Sequence, residues 1–264
     1  MMLFRISLWP SALFLFCLLG ISGSTLARTL EVSALDEAPF AARLGGQLVG
    51  CAPSFYKRLS ERTGLQFSIS IYPIARLMHR IKQQQTELAI VPSYSSTHPP
   101  GFLGYEYLGP IYALDNVIIT RGRPLTTDLQ SFSGLRIGLV PDACWNVCRE
   151  LNAIPVQQRM IRSVEQGLQL LEADRLDGIL VPEPIYLAAL HQLGKSDDSF
   201  AISYRKPDVY LFLALPNDMD DLARQQLQDG WTQLGANVFR QECKRVIEQF
   251  WPRPPSTTVP VVEH

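Results

Sequence analysis

The chain carries 264 residues, with 24 Lys and Arg against 25 Asp and Glu and a formal net charge of −1. That balance offers no basic excess to a nucleic acid or an anionic membrane surface. A hydrophobic share of 47% supplies a sizeable core, and the length suits two lobes or one large domain, since domains typically run about 100 to 200 residues.

The opening stretch MMLFRISLWPSALFLFCLLGISGSTLA (1–27) places Arg5 before an apolar run from Ala12 to Leu19 and ends on small residues, with Thr25 and Ala27 at A-x-A-like positions. This is the pattern of a secretory signal peptide. The apolar run is shorter than the about 20 residues that span a bilayer, and polar, strand-like sequence follows it, so an uncleaved anchor is the poorer reading. Cys17 lies inside the apolar run without the small-residue surroundings of a lipoprotein signal. The expected product is an exported, periplasmic protein starting near Arg28. Cleavage removes Arg5 alone among the charged residues, so 24 basic and 25 acidic residues become 23 and 25. Cys51, Cys144, Cys148 and Cys243 remain, and in an oxidising compartment they permit two disulfides in three connectivities.

From there strands and helices alternate. TLEVSAL (29–35) reads as a first strand, and APSFYKRLSERTG (52–64) as a helix opened by Pro53 and closed by Gly64 at its C-cap. LQFSISI, PIARLMHRIKQQQ and ELAIVPS follow as strand, helix and short buried strand. Such a βαβαβ run implies a parallel sheet with helices on its faces. NVIITR (116–121) is a further strand, and after a polar loop LRIGLVP (135–141) restarts the pattern. A helix near CWNVCREL, a strand near VQQRMI, a helix at VEQGLQLLEAD, the strand DGILVP and a helix at PIYLAALHQL complete a second βαβ lobe. VYLFLALP (209–216) is a buried strand, and residues 220–251 form one or two closing helices. The tail PRPPSTTVPVVEH (252–264) has the composition of a disordered segment.

Two features admit a bland and a chemical reading. Cys144 and Cys148 stand four apart on a predicted helix, where a bridge needs a bent or terminal turn. A metal would require further ligands, and His79, His98, His191 and His264 show no zinc spacing. No metal or cofactor is expected.

The order TLEVSALDEAPF, LVGCAPSFYKRLSERTG, ELAIVPS, GPIY, SFSGLRIGLVPD, GLQLLEADRLDGILVPEP and a last helix ending in QFW resembles the extracellular solute-binding protein family 3, the amino-acid-type periplasmic binding proteins of bacterial ABC transporters. The likeness runs from about Thr29 to Trp251. The YPIAR block further resembles a subset in which a Pro-x-x-Arg segment opens the second helix. The resemblance implies an α/β, type II periplasmic binding protein fold: two βαβ lobes joined by two crossover strands, here NVIITR and ISYRKPDVYLFL, closing over a small ligand. The corresponding division is 28–120 for the first lobe, 121–205 for the second, and 206–251 for the return to the first. A monomer partnered by an ABC permease or a membrane sensor is implied, with no nucleic acid.

The chain departs from the family where ligand is held. The arginine expected after the Ser/Thr-rich loop to clamp a carboxylate is absent, with Pro100 and Gly101 near its place. The aspartate expected after DGILV to accept an ammonium is replaced by Pro182, with Glu183 beside it. Both losses argue against an ordinary α-amino acid. In such folds ligand lies outside the carboxyl ends of the strands. Arg76, one turn into the helix after Pro73, is there a candidate to take over the carboxylate, because its planar fork suits bidentate capture. The competing reading is a surface arginine that packs along the lobe or pairs with an acid such as Glu87. Asp36 and Phe40 follow the first strand, Phe40 or Tyr72 can stack on an apolar part of the ligand or belong to the core, and Ser93, Ser95 and Thr97 offer hydroxyls or merely form a turn. In the second lobe PDACW leads into a helix whose N–H groups make an anion site, with Asp142 as a cap or an ammonium acceptor and Trp145 as a stacking or packing residue.

Three functional classes follow. The first is a periplasmic binding protein that captures a small polar ligand, amino-acid-like or another carboxylate, and requires no catalytic group. The second is a sensory or scaffold module on the same fold. The third is an enzyme like the periplasmic cyclohexadienyl dehydratases, for which Glu183 or Asp142 would have to serve as the acid. No G-x-S-x-G elbow points to a hydrolase.

Overall fold

The computed structural model of the protein describes residues 29–140 and 146–250. The expected signal peptide and tail lie outside the described residues, as do Asp142, Cys144 and Trp145.

Strand β1 (Thr29–Leu35) turns Leu30, Val32 and Ala34 into the core. Helix α1 (Cys51–Thr63) covers that face with Phe55 and Leu59, both fully buried. It ends where the sequence predicts, at Gly64, whose left-handed φ of 74° lets its N–H reach Ser60 O; a residue without Cβ takes that conformation freely. Between β1 and α1 lies a hairpin absent from the sequence reading, β2 (Ala42–Leu44) and β3 (Gln47–Val49), turning at Gly45 and Gly46. Strands β4 (Gln66–Tyr72) and β5 (Leu88–Ser93) flank β1 in parallel, connected by helix α2 (Ile74–Lys82), which buries Leu77 and Ile81.

In the second lobe β7 (Arg136–Leu139), β8 (Gln157–Met160) and β9 (Gly178–Pro182) run parallel, with α3 (Asn146–Leu151), α4 (Val164–Glu172) and α5 (Glu183–Gln192) between and after them. The Ser163 hydroxyl caps α4 by accepting from Gln166 N–H.

Two 16-residue strands tie the lobes together. β6 (Tyr105–Thr120) and β10 (Ala201–Pro216) pair antiparallel from Tyr105↔Pro216 to Thr120↔Ala201. β10 also pairs with β5 and β6 with β9, giving one eight-stranded sheet of order β4-β1-β5-β10-β6-β9-β7-β8. The expected strand at 116–121 is therefore only the end of β6. Its first part escapes pattern reading because Gly109 and Pro110 interrupt it and the partner register slips near Pro207 and Leu211, so no clean alternation survives.

The closing segment is two helices, α6 (Asp221–Leu234) and α7 (Val238–Phe250), divided at Gly235. Both join the first-lobe core, through Leu227 and Phe239. A disulfide joins Cys51 to Cys243, at the start of α1 and in α7, and Cys148 is also disulfide-bonded. Among the described residues no helix is long and apolar enough to cross a membrane.

Candidate ligand-binding site

A cavity of about 220 Å³ opens where the carboxyl end of β1, the start of α2, the middle of the two long strands and the start of α5 converge. Its walls follow from the pattern of those elements. Ala34 and Leu35 end β1, Ile74 and Leu77 lie in the first turns of α2, and Ile90 and Pro92 come from β5. Leu114, Val209 and Leu211 project from the long strands, while Pro182 and Ile185 enter from the second lobe. Phe40, Ala52 and Phe239 close the remaining side. Among the described residues Glu37 and Asn116 bring the only polar side chains to this lining.

Glu37 makes no side-chain hydrogen bond or ion pair within the described residues. Glu37 is exposed, and the partial burial of its carboxyl against the protein raises its pKa above the ordinary carboxylate value. Asn116 is buried and donates through Nδ2 to Asp208 Oδ2 at 2.6 Å. That donation fixes the amide orientation and leaves its carbonyl oxygen as the group with capacity to spare.

Asp208 also organises the junction of the lobes. Fully buried on β10, it accepts from the backbone N–H of Asn146 at 3.2 Å and of Val147 at 3.3 Å. Asn146 Nδ2 in turn reaches Tyr94 O, in the loop after β5, at 3.4 Å. The N–H groups of α3 that the sequence analysis assigns to a ligand anion are thus engaged by a carboxylate of the protein itself. The attraction is the same, an anion against a helix start.

A second charged group stands beside Pro182. Arg205 forks onto both oxygens of Glu183, at 2.5 and 2.7 Å, and reaches Asp115 at 3.2 Å. Arg240 lies 5.0 Å above the Tyr112 ring and donates to Ala113 O. Burial pushes the Tyr112 hydroxyl up to about 12.

The residues singled out from sequence are scattered relative to this cavity. Phe40 lines it. Glu183 follows lining residue Pro182 but is paired with Arg205. Asp36 is exposed and holds the chain by donating its N–H to Tyr72 O. Arg76 is exposed, with its guanidinium 5.5 Å from the Tyr72 ring, and Arg80 lies over the same ring at 4.7 Å. Neither Tyr72 nor Arg76 lines the cavity; Tyr72 and Arg80 border a separate polar pocket of about 410 Å³ on the first lobe. The Ser93 hydroxyl donates to His98 O at 2.6 Å, and Ser95 Oγ accepts from the N–H of Thr97 and of His98. These hydroxyls are engaged within their own turn. Asp142 and Trp145 lie outside the described residues.

Glu37, Asn116 and Asp208 escaped the sequence reading. Glu37 sits next to Asp36 in the same block, where one residue of shift decides which carboxylate faces inward. Asp208 had a visible signal, a lone acid beside an apolar strand run. Among the described residues no cluster of His, Cys, Asp and Glu forms a metal site.

No protein-family model matches the sequence. No curated protein matches it either. Solved structures do. The second substrate-binding domain of Lactococcus lactis GlnP, in an open conformation, is similar with a TM-score of 0.64 and 13% identity, over 83% of this chain and 95% of that one. The ligand-binding core of GluR0 in complex with L-glutamate is similar with a TM-score of 0.64 and 14% identity, over 84% and 99%. The VFT2 domain of Bordetella pertussis BvgS, as a double mutant, gives 0.61 and 15%, over 83% and 93%. Likeness at these identities identifies the fold: a type II periplasmic binding protein fold, two α/β lobes joined by β6 and β10.

Proposed function

We propose that this chain is an exported solute-binding protein that holds a small ligand between its lobes and presents it to a membrane partner, an ABC permease or, alternatively, a membrane sensor. Residues 28–120 and 206–251 form the first lobe in this reading and 121–205 the second, with the signal peptide removed and the protein acting as a periplasmic monomer. The observation that carries it is the cavity itself. Both lobes and both long strands wall it, so a change in lobe angle changes its shape, and a ligand that fits one angle shifts the population toward it. The substrate-binding domain of GlnP and the glutamate-bound GluR0 core support the same use of the fold. Binding without turnover is the reading the lining supports, since it presents one carboxylate and one amide and no nucleophile paired with a base. For a dehydratase, Glu183 would have to reach the substrate, but both of its oxygens are bonded to Arg205.

The test combines a thermal-shift screen of a broad metabolite set with small-angle scattering on each hit. A ligand present at a hundredfold its Kd stabilises the native state by about 2.7 kcal/mol, and a closing ligand reduces the radius of gyration. Consumption of a hit would make the protein an enzyme, and absence of any hit would leave the scaffold reading.

A further inference from the structure

We infer that the cavity selects a ligand with one positively charged amine on a compact apolar body and without a carboxylate. This deepens the binding reading above and rests on it.

The first argument is charge. Among the described residues Glu37 supplies the single ionisable side chain of the lining, and Asn116 adds a carbonyl oxygen because its nitrogen is bound to Asp208. Both groups accept hydrogen bonds. Among the described residues no Lys, Arg or His lines the cavity. The nearby arginines are committed: Arg205 to Glu183 and Asp115, and Arg240 to Ala113 O and the face of Tyr112. Asp208, directly behind Asn116, carries a further negative charge. A carboxylate entering here meets acceptors and acids with no cation to offset its desolvation, which is costly for any buried charge. An ammonium meets the opposite situation, because it brings donors to acceptors that lack them.

The second argument is shape. The remaining walls are aliphatic and aromatic, among them Leu35, Ile74, Leu211 and Phe239. Apolar cavities of about 150 Å³ accommodate a benzene ring, so about 220 Å³ holds one ring and a short arm. Glu37 lines the cavity and is exposed, which places the ammonium at the mouth and the apolar body inside. Burial of the body supplies the affinity, at about 25 cal/mol per Å² of apolar surface, and the charge-assisted hydrogen bond to Glu37 supplies the choice of head group.

The experiment uses four probes that share a ring and differ in head group: 2-phenylethylamine, 2-phenylethanol, phenylacetate and phenylalanine. Calorimetric titration is made against the purified protein and against Glu37→Gln, an isosteric change at an exposed residue that should leave the melting temperature unchanged. The expected result is that the amine binds about ten- to hundredfold more tightly than the alcohol, in line with a hydrogen bond to a charged group, while the acid and the amino acid bind more weakly still. In Glu37→Gln the amine loses that advantage and the alcohol keeps its affinity. Tighter binding of phenylacetate or phenylalanine overturns the amine assignment and leaves the solute-binding reading standing. Undiminished amine binding in Glu37→Gln overturns the role of Glu37 and with it the assignment. If no probe binds and the wide metabolite screen is also empty, both readings fall; if the wide screen finds a different ligand, only the amine class falls.

Discussion

Glu242 shows how a single residue holds two elements together. It is buried, on α7, and burial by itself opposes its ionisation, yet hydrogen bonds from Ser54, Arg58 and Arg245 outweigh that and bring its pKa to about 2. The Ser54 hydroxyl donates at 2.5 Å and Arg58 Nε at 2.8 Å, so the carboxylate ties α1 to α7 next to their disulfide. A folded value near 2 against an ordinary 4.5 means that the unfolded chain binds the proton first. The contribution is present above about pH 4.5 and is lost as pH falls toward 2. By linkage it amounts to on the order of 3 kcal/mol at most, and the exposed flanks of both arginines screen part of it. Urea unfolding at pH 7 and pH 3 should show this loss, and Glu242→Gln should be destabilised at pH 7 while losing less on acidification. Equal loss in both proteins would remove Glu242 from the account. Arg76 illustrates the reverse case, a charge whose helical setting admitted a ligand partner and whose observed neighbour is the Tyr72 ring, a contact of about 0.5–1 kcal/mol at an exposed site.

Among elements, the packing of α6 on α1 turns on Gly230. A Cβ built there would lie 2.4 Å from Thr63 Cγ2 and 3.2 Å from Leu59 Cδ1. Thr63 cannot swing aside freely, because its hydroxyl donates to Leu59 O at 2.8 Å. Helix propensity alone favours Gly→Ala by about 1 kcal/mol; overpacking costs about 1–3 kcal/mol. The 2.4 Å approach puts the steric cost toward its upper end, so Gly230→Ala is expected to lower unfolding free energy by up to about 2 kcal/mol in denaturant titration. A more stable variant would mean that the helices separate easily. The ends of the elements were the most legible part of this chain. Gly64, closing α1, acts on atoms within four residues of itself, and local chemistry of that kind can be read from local sequence. The long strands were legible only in part. Their pairing with each other carries β6 through Gly109 and Pro110, residues that would interrupt a strand judged on its own.

For the whole molecule, the chain leaves the first lobe along β6, builds the second, and returns along β10 to place α6 and α7 against α1. Cys51 and Cys243, 192 residues apart, staple the departing and returning parts of that lobe. A cross-link of this kind stabilises mainly by restricting the unfolded chain, typically by about 2–4 kcal/mol and somewhat more for long loops. The double variant Cys51→Ala/Cys243→Ala is expected to lose about that amount in chemical unfolding while keeping its fold. An unchanged midpoint would place the stability of the lobe in its apolar core alone.

The sequence by itself determined the alternation of strands and helices, the two-lobed α/β class and the end of α1 at Gly64, because these depend on periodicity and on groups that meet within a turn or two of chain. It also revealed that the expected charged clamps were missing, at Pro100 and Pro182. Only the tertiary structure decided which residues meet between the lobes. Glu37, Asn116, Asp208 and Ile185 come from four separate elements and meet because β6 and β10 carry both lobes to one junction. Which of two neighbouring acids, Asp36 or Glu37, faces that junction, and which cysteines meet, depends on contacts between residues remote in sequence. Chain topology sets those distances, and no local pattern records them.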